Sequence, residues 1–380
     1  MSIDTTRPLA ERPVILGDIE ALKDEMSLDN LDTQWLLTRQ PSISAEQHSL
    51  AVNSIPTCLL IRHLIRFPEH ALLPTMPTVQ ETLEEVNAFW PETRNFSARK
   101  LALITGNAGW TGSRWTREDI APAHATRRLF YVLTQLSRSE SLWGVQNYLD
   151  VVEEELGARG ILGGFEELVQ RGSWPRRIQA STETSSSKRL FHERYRVMSR
   201  LDIEQLKDQL GIDNLDTHWL LTQIFYTQPD TRHEPLTSIP VSLLVRTLLS
   251  MPELNPLPRH VNVNEALDRI APAWPESREL SARKLALLTG NTGWTGARWV
   301  REGVEPAYAT KRLFLLLTQV AETQGMEGIE QFMASVHQEL RARGIFGGFD
   351  QLVHEGAWPR NSQITENAEP EDETSSGIGA

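Results

Sequence analysis

The sequence predicts an all-α protein made of two tandem homologous helical domains, and three observations carry that expectation. Apolar residues recur at helical spacing along most of the 380-residue chain. No segment alternates apolar and polar residues with β-branched enrichment, which leaves little or no sheet. The chain also repeats itself at a fixed offset of 184: Trp35/Trp219, Trp90/Trp274, Gly106/Gly290, Trp115/Trp299, Pro122/Pro306 and Trp174/Trp358 all keep it, with no insertion or deletion between them. A unit of that length exceeds a solenoid repeat of roughly 20–50 residues, so each copy is expected to hold its own core. The expected boundaries are 16–176 and 200–360, joined by a flexible linker over 177–199 and followed by an acidic tail, 361–380, too poor in apolar residues to fold.

The first copy opens with Ile19, Leu22 and Met26 on one helical face. A second short helix follows the Asp29/Asn30 cap and carries Leu31, Trp35 and Leu36. After a polar loop, Ser54-Ile-Pro starts a helix that ends near Phe67, because Pro68 cannot continue it. Thr78 to Val86 reads as an amphipathic helix, Ser97 caps another that runs to Thr105, and Ala123 to Ser137 is a long one with Leu129, Phe130, Leu133 and Leu136 inward. Trp143 to Leu156 and Phe165 to Gln170 complete the copy. The glycines between them, Gly157, Gly160, Gly163 and Gly164, suit helix ends and tight turns, and without a preceding strand they do not make a phosphate loop.

Composition narrows the function classes. A formal charge of −12 argues against bulk electrostatic coating of nucleic acid or membrane, so any anion must be bound locally. Cys58 is the single cysteine, which excludes an intrachain disulfide and a Cys-rich zinc site; beside Leu59 and Leu60 it reads as a small buried hydrophobe. No signal peptide or apolar run of about 18 residues is present, and a cytoplasmic protein without membrane contact is expected. Of ten histidines, His70 faces Leu254 and His124 faces Tyr308 across the repeat, so chemistry common to both copies cannot rest on them. With no nucleophile elbow, Walker sequence or His-x-x-x-His pair, no enzyme activity, cofactor or metal is expected.

The most strongly repeated stretch is Ser97 to Arg117, matched by Ser281 to Arg301; over 97–128 and 281–312, 23 of 32 positions are identical. Each copy has Leu-Ala (Leu101-Ala102, Leu285-Ala286), a glycine four residues on (Gly106, Gly290), a tryptophan nine beyond that (Trp115, Trp299), an arginine (Arg117, Arg301) and a proline before the long helix (Pro122, Pro306). This pattern resembles the repressor-like (Cro/CI-type) helix-turn-helix, over about 40 residues per copy. It departs in two places: Asn107/Asn291 stands where an aliphatic is usual, and Gly112/Gly296 replaces the buried aliphatic of the second helix.

The resemblance implies binding of double-stranded DNA, as a transcriptional regulator of bacterial or mobile-element type that reads two related half-sites. Arg99, Lys100, Arg283 and Lys284 would then lie on phosphates. Trp110, Ser113, Arg114 and Arg117, with Trp294, Ala297, Arg298 and Arg301, would face the major groove, where arginine forks onto guanine. Trp115 and Trp299 are expected in the core. Seven Lys/Arg lie between Arg94 and Arg128 against Glu118 and Asp119, and seven between Arg278 and Arg312 against Glu279, Glu302 and Glu305, so both windows are positive in an acidic chain. The rival reading is a protein-interaction adaptor, with a protein partner or self-association and no DNA.

Overall fold

A computed structural model describes residues 7–37, 44–90, 95–139, 141–175, 195–222, 231–275 and 279–359. The tail expected over 361–380, the linker up to residue 194, and Arg94 and Arg278 of the basic windows lie outside the described residues. Among those described the protein is all-α, with only two isolated antiparallel bridges, Ile15–Ala51 and Ser199–Pro235. No described helix is long and apolar enough to cross a membrane.

In the first copy the helices are α1 (Gly17–Met26), α2 (Asn30–Leu37), α3 (Ile55–Arg66), α4 (Val79–Asn87), α5 (Ala98–Ile104), α6 (Gly109–Arg117), α7 (His124–Ser139), α8 (Ser141–Ala158) and α9 (Gly164–Arg171). Their counterparts are α10 (Arg200–Leu210), α11 (Asn214–Leu221), α12 (Ile239–Ser250), α13 (Val263–Ile270), α14 (Ala282–Leu288), α15 (Gly293–Glu302), α16 (Tyr308–Gln324), α17 (Met326–Ala342) and α18 (Gly348–Glu355). The caps explain the starts. Ser54 accepts from Thr57 N with Pro56 in the first turn, Thr78 and Glu81 form a reciprocal capping box, and Asp29 accepts from Leu31 N and Asp32 N. Phe67 closes α3 before Pro68, as the sequence predicts.

The chain divides into two compact units that do not coincide with the two copies. One is contiguous, Leu73–Arg259; the other combines Met1–Leu72 with His260–Ala380. The expectation that 16–176 and 200–360 each hold their own core is therefore corrected. Helices α2 and α3 of the first copy pack with α16 and α17 of the second, with α1 packed on α3; α11 and α12 of the second pack with α7 and α8 of the first, with α10 packed on α12. Duplication explains why this is stereochemically open: the copies offer equivalent surfaces, so either C-terminal half can receive either N-terminal half.

The same device stitches each unit. In the discontinuous unit the carboxylate of Glu339 accepts from Arg62 Nε at 2.6 Å and from Arg343 Nε at 2.6 Å, while Arg62 also donates to the carbonyls of Leu9 and Arg12. In the contiguous unit Glu155 accepts from Arg246 Nε at 2.8 Å and Arg159 Nε at 2.6 Å, and Arg246 reaches the carbonyl of Arg196. Both glutamates are completely buried. A buried carboxylate held by two guanidiniums, one from each copy, loses its desolvation compensation if either half is absent. A second stitch is a guanidinium over an indole: Arg312 lies 3.7 Å from the Trp35 ring centroid and Arg128 lies 3.6 Å from that of Trp219, all fully or almost fully buried.

Candidate nucleic-acid interface

Helices α5 and α6 cross at close range, and glycine is what permits it. A Cβ on Gly112 would stand 1.9 Å from the carbonyl oxygen of Ala98, and one on Gly296 would stand 2.0 Å from that of Ala282. The glycine that replaces the usual aliphatic is thus a contact between helix backbones. Gly106 and Gly290, at φ +82° and +80°, turn the chain, and a Cβ on either would strike the start of α12 (Pro240 N, 2.7 Å) or of α3 (Pro56 N, 2.8 Å).

The asparagine after the turn also has a task. Asn107 Nδ2 donates to Thr105 O at 3.0 Å and to Thr126 Oγ1 at 3.1 Å, tying the turn to α7; Asn291 does the same with Thr289 and Thr310 at equal distances. Trp115 and Trp299 are core residues, edge-on to Phe130 and Phe314 at 5.4 Å. Each second helix is held at its start by Gly109 N donating to Gly172 O, or Gly293 N to Gly356 O, both at 2.9 Å.

With Gly112 and Trp115 inward, the opposite ridge of α6 presents Trp110, Ser113, Arg114 and Arg117 at i, i+3, i+4 and i+7. The ridge of α15 presents Trp294, Ala297, Arg298 and Arg301. Trp110 is 61% and Trp294 65% exposed, which sets them apart from the buried Trp115 and Trp299 one turn on. The arginines are arranged differently. Arg114 lies over the Trp110 ring at 5.5 Å and pairs with Glu118 at 3.0 Å. In α15 it is Arg301 that lies over Trp294, at 5.4 Å, while Arg298 pairs with Glu302 at 2.8 Å.

The residues expected on phosphates have structural engagements. Arg99 donates to Val169 O at 3.0 Å and Arg283 to Val353 O at 3.1 Å, each satisfying a carbonyl in the last turn of α9 or α18. Lys100 and Lys284 lie over Trp90 and Trp274 at 5.4 and 5.8 Å. Arg128 and Arg312, counted in the basic windows, are buried against indoles and add nothing to a surface patch. Thr292, which stands where the first copy has Ala108, caps α15: its Oγ1 accepts from Thr295 N at 3.2 Å.

Two features escape the sequence reading. One is a pocket of about 460 Å3 beside α6, with Met76, Trp115, Asp119 and Ile120 among its lining. The other is a buried histidine pair in the discontinuous unit. His63 Nε2 and His70 Nδ1 are 2.8 Å apart, His63 Nδ1 is 3.3 Å from Ser335 Oγ, and the far nitrogen of His70 meets the Gln324 amide at 2.5 Å. Burial, then the nearby His70 and Arg66, lower the His63 pKa to about 3. Their counterparts, Thr247 and Leu254, are also buried but cannot ionise. Cys58 is buried as expected, and burial raises its thiol pKa well above the ordinary value.

No protein-family model, curated protein or solved structure matches the chain.

Proposed function

We propose that the protein is a sequence-specific DNA-binding regulator whose two α5/α6-type helix pairs act as repressor-like helix-turn-helix elements, with the outer ridges of α6 and α15 in the major groove. The observation that carries this reading is the ridge itself: one exposed indole and two arginines on the solvent face of the second helix, present in both copies, with the opposite face locked by glycine and tryptophan. Arginine reads guanine through O6 and N7, and each such contact discriminates by about 1–3 kcal/mol. The indoles supply apolar contact at the same surface. Because Arg99 and Arg283 are engaged at helix ends, fewer side chains remain for phosphates than the basic windows suggest.

A site selected from random DNA should be bound by the full chain and lost in the Arg114→Ala/Arg298→Ala double variant at unchanged thermal stability. Equal binding by parent and variant removes the groove assignment. The adaptor reading is favoured by one specific observation: Arg114 and Arg298 are already paired with Glu118 and Glu302, and exposed Trp beside Arg is also the composition of protein-binding hot spots. Salt separates the two, since a DNA complex weakens steeply as phosphate counterions are retained whereas a hot-spot complex built on indole burial does not.

A further inference from the structure

The outer ridges of α6 and α15 share an arginine stacked on an exposed indole, and they reach it in different ways. Trp110 is 61% and Trp294 65% exposed, although an aromatic side chain can bury about 150–250 Å2 and Trp115 and Trp299 on the same helices do so. Arg114, one turn along α6, lies 5.5 Å from the Trp110 ring centroid; Arg301, two turns along α15, lies 5.4 Å from that of Trp294. The same separation recurs from a different helix position, so the stack itself is what the two ridges have in common. In both arginines Nε is engaged on its own helix, by Glu118 at 3.0 Å in the first and by the Ala297 carbonyl at 3.4 Å in the second. The two terminal nitrogens are left for a planar fork, and the open part of the indole is left for an apolar contact.

Resting on the DNA-binding reading above, we propose that Trp110 and Trp294 read the C5-methyl group of thymine in the major groove, each beside a guanine taken by its stacked arginine. The methyl is the apolar group that thymine shows in that groove, and guanine offers O6 and N7 to an arginine fork. Successive bases rise about 3.4 Å along a strand. The 5.5 and 5.4 Å separations of guanidinium and indole therefore set the guanine one or two steps from the thymine. The half-sites differ at the next position of the ridge. Ser113 of α6, whose hydroxyl serves any base, is replaced in α15 by Ala297, an apolar contact for a second thymine methyl. The half-site read by α15 is the more dependent on methyl groups.

A duplex selected from random DNA by the full chain, remade with deoxyuridine in place of each thymine in turn, tests this by fluorescence anisotropy at fixed salt. The exchange removes the methyl and keeps the base pairing and the phosphates. One apolar carbon contact corresponds to about fourfold in affinity, so at least one deoxyuridine in each half-site should weaken the complex by about that factor. Deoxyuridine outside the half-sites should change nothing. Trp110→Ala should abolish the sensitivity in one half-site and Trp294→Ala in the other, at an unchanged melting profile because both indoles are exposed; lower salt restores measurable binding where a variant is weak. A selected duplex whose binding ignores deoxyuridine, or a sensitivity that survives both tryptophan variants, overturns the methyl assignment and leaves DNA binding standing. Failure to select any duplex overturns both and assigns the ridges to a protein partner.

Discussion

The two compact units are built from the same parts yet differ at several buried positions, His63 and His70 among them, and the difference shows what duplication left constant and what it released. Both retain the glutamate between two arginines, the arginine over an indole, and the glycine crossing of α5 with α6 or α14 with α15. Each of these is an over-determined contact in which a missing partner leaves a buried charge or a backbone clash. Where the discontinuous unit buries His63 and His70, the contiguous unit buries Thr247 and Leu254. Thr247 needs nothing from a neighbouring helix, because its hydroxyl donates to Leu243 O within α12. His63 depends on Ser335, and the corresponding position on α8 is Val151.

The largest expected effect comes from cutting the chain along one division or the other. Residues 73–259 produced alone should give a cooperative, monomeric, helical protein, because they hold a complete unit. Residues 1–180 should not, since α1 to α3 lack α16 and α17 of the second copy. Melting by circular dichroism with light scattering distinguishes the two; a well-folded monomer of 1–180 would mean that a copy closes on itself.

Removing the buried acid comes next. Glu155→Ala and Glu339→Ala should each cost about 3–5 kcal/mol, the range for breaking a buried pair, because two guanidiniums are left without it. Denaturant unfolding should show similar losses for the two variants. A loss in one unit alone would mean the pair of stitches is not equivalent.

Acid should then separate the units. The folded His63 pKa, about 3, lies below its unfolded value near 6.5, so the unfolded chain binds the extra proton between these limits. The stability due to neutral His63 is complete above pH 6.5 and falls as pH drops toward 3, by about 2 kcal/mol at pH 5. The discontinuous unit should weaken first, and His63→Thr/His70→Leu should flatten the profile. A pH profile unchanged by that variant would place the acid sensitivity elsewhere.

The smallest effect concerns the start of the second helix. Thr292→Ala should cost about 1 kcal/mol by removing a cap, and Ala108→Thr should return a similar amount to α6, which starts without a side-chain cap. Melting temperatures of the two single variants measure this directly.

Helices, caps and turns were largely legible in the sequence because they depend on neighbours within a few residues: Ser54, Thr78, Ser97 and Pro68 punctuate the chain where the structure does. The inward and outward sides of α6 were legible in part, with Trp115 placed in the core and Trp110 on the exposed ridge. The exchange of halves was not, since identical spacing along two copies carries no record of which half meets which. Arg128 illustrates the same limit. Its charge reads as surface until Trp219, 91 positions away in the chain, is known to lie against it.

The interleaved units also impose an order on synthesis. The contiguous unit is complete once residue 259 has emerged, whereas α1 to α3 meet no part of their second-copy partner until residue 260, 188 positions after residue 72. At roughly 5–20 residues per second that interval is on the order of 10–40 s. During it α3, with Cys58, Leu59, Leu60, Ile61 and Leu64 awaiting burial, is exposed to the nascent α7 and α8 of its own copy, whose equivalent surface includes Glu155. Docking there would give Arg62 its acid but would set His63 against Val151 in place of Ser335. A histidine whose Nδ1 finds its partner only in the late segment makes the early pairing the weaker one, so the same residue that sensitises the mature unit to acid helps the nascent chain wait.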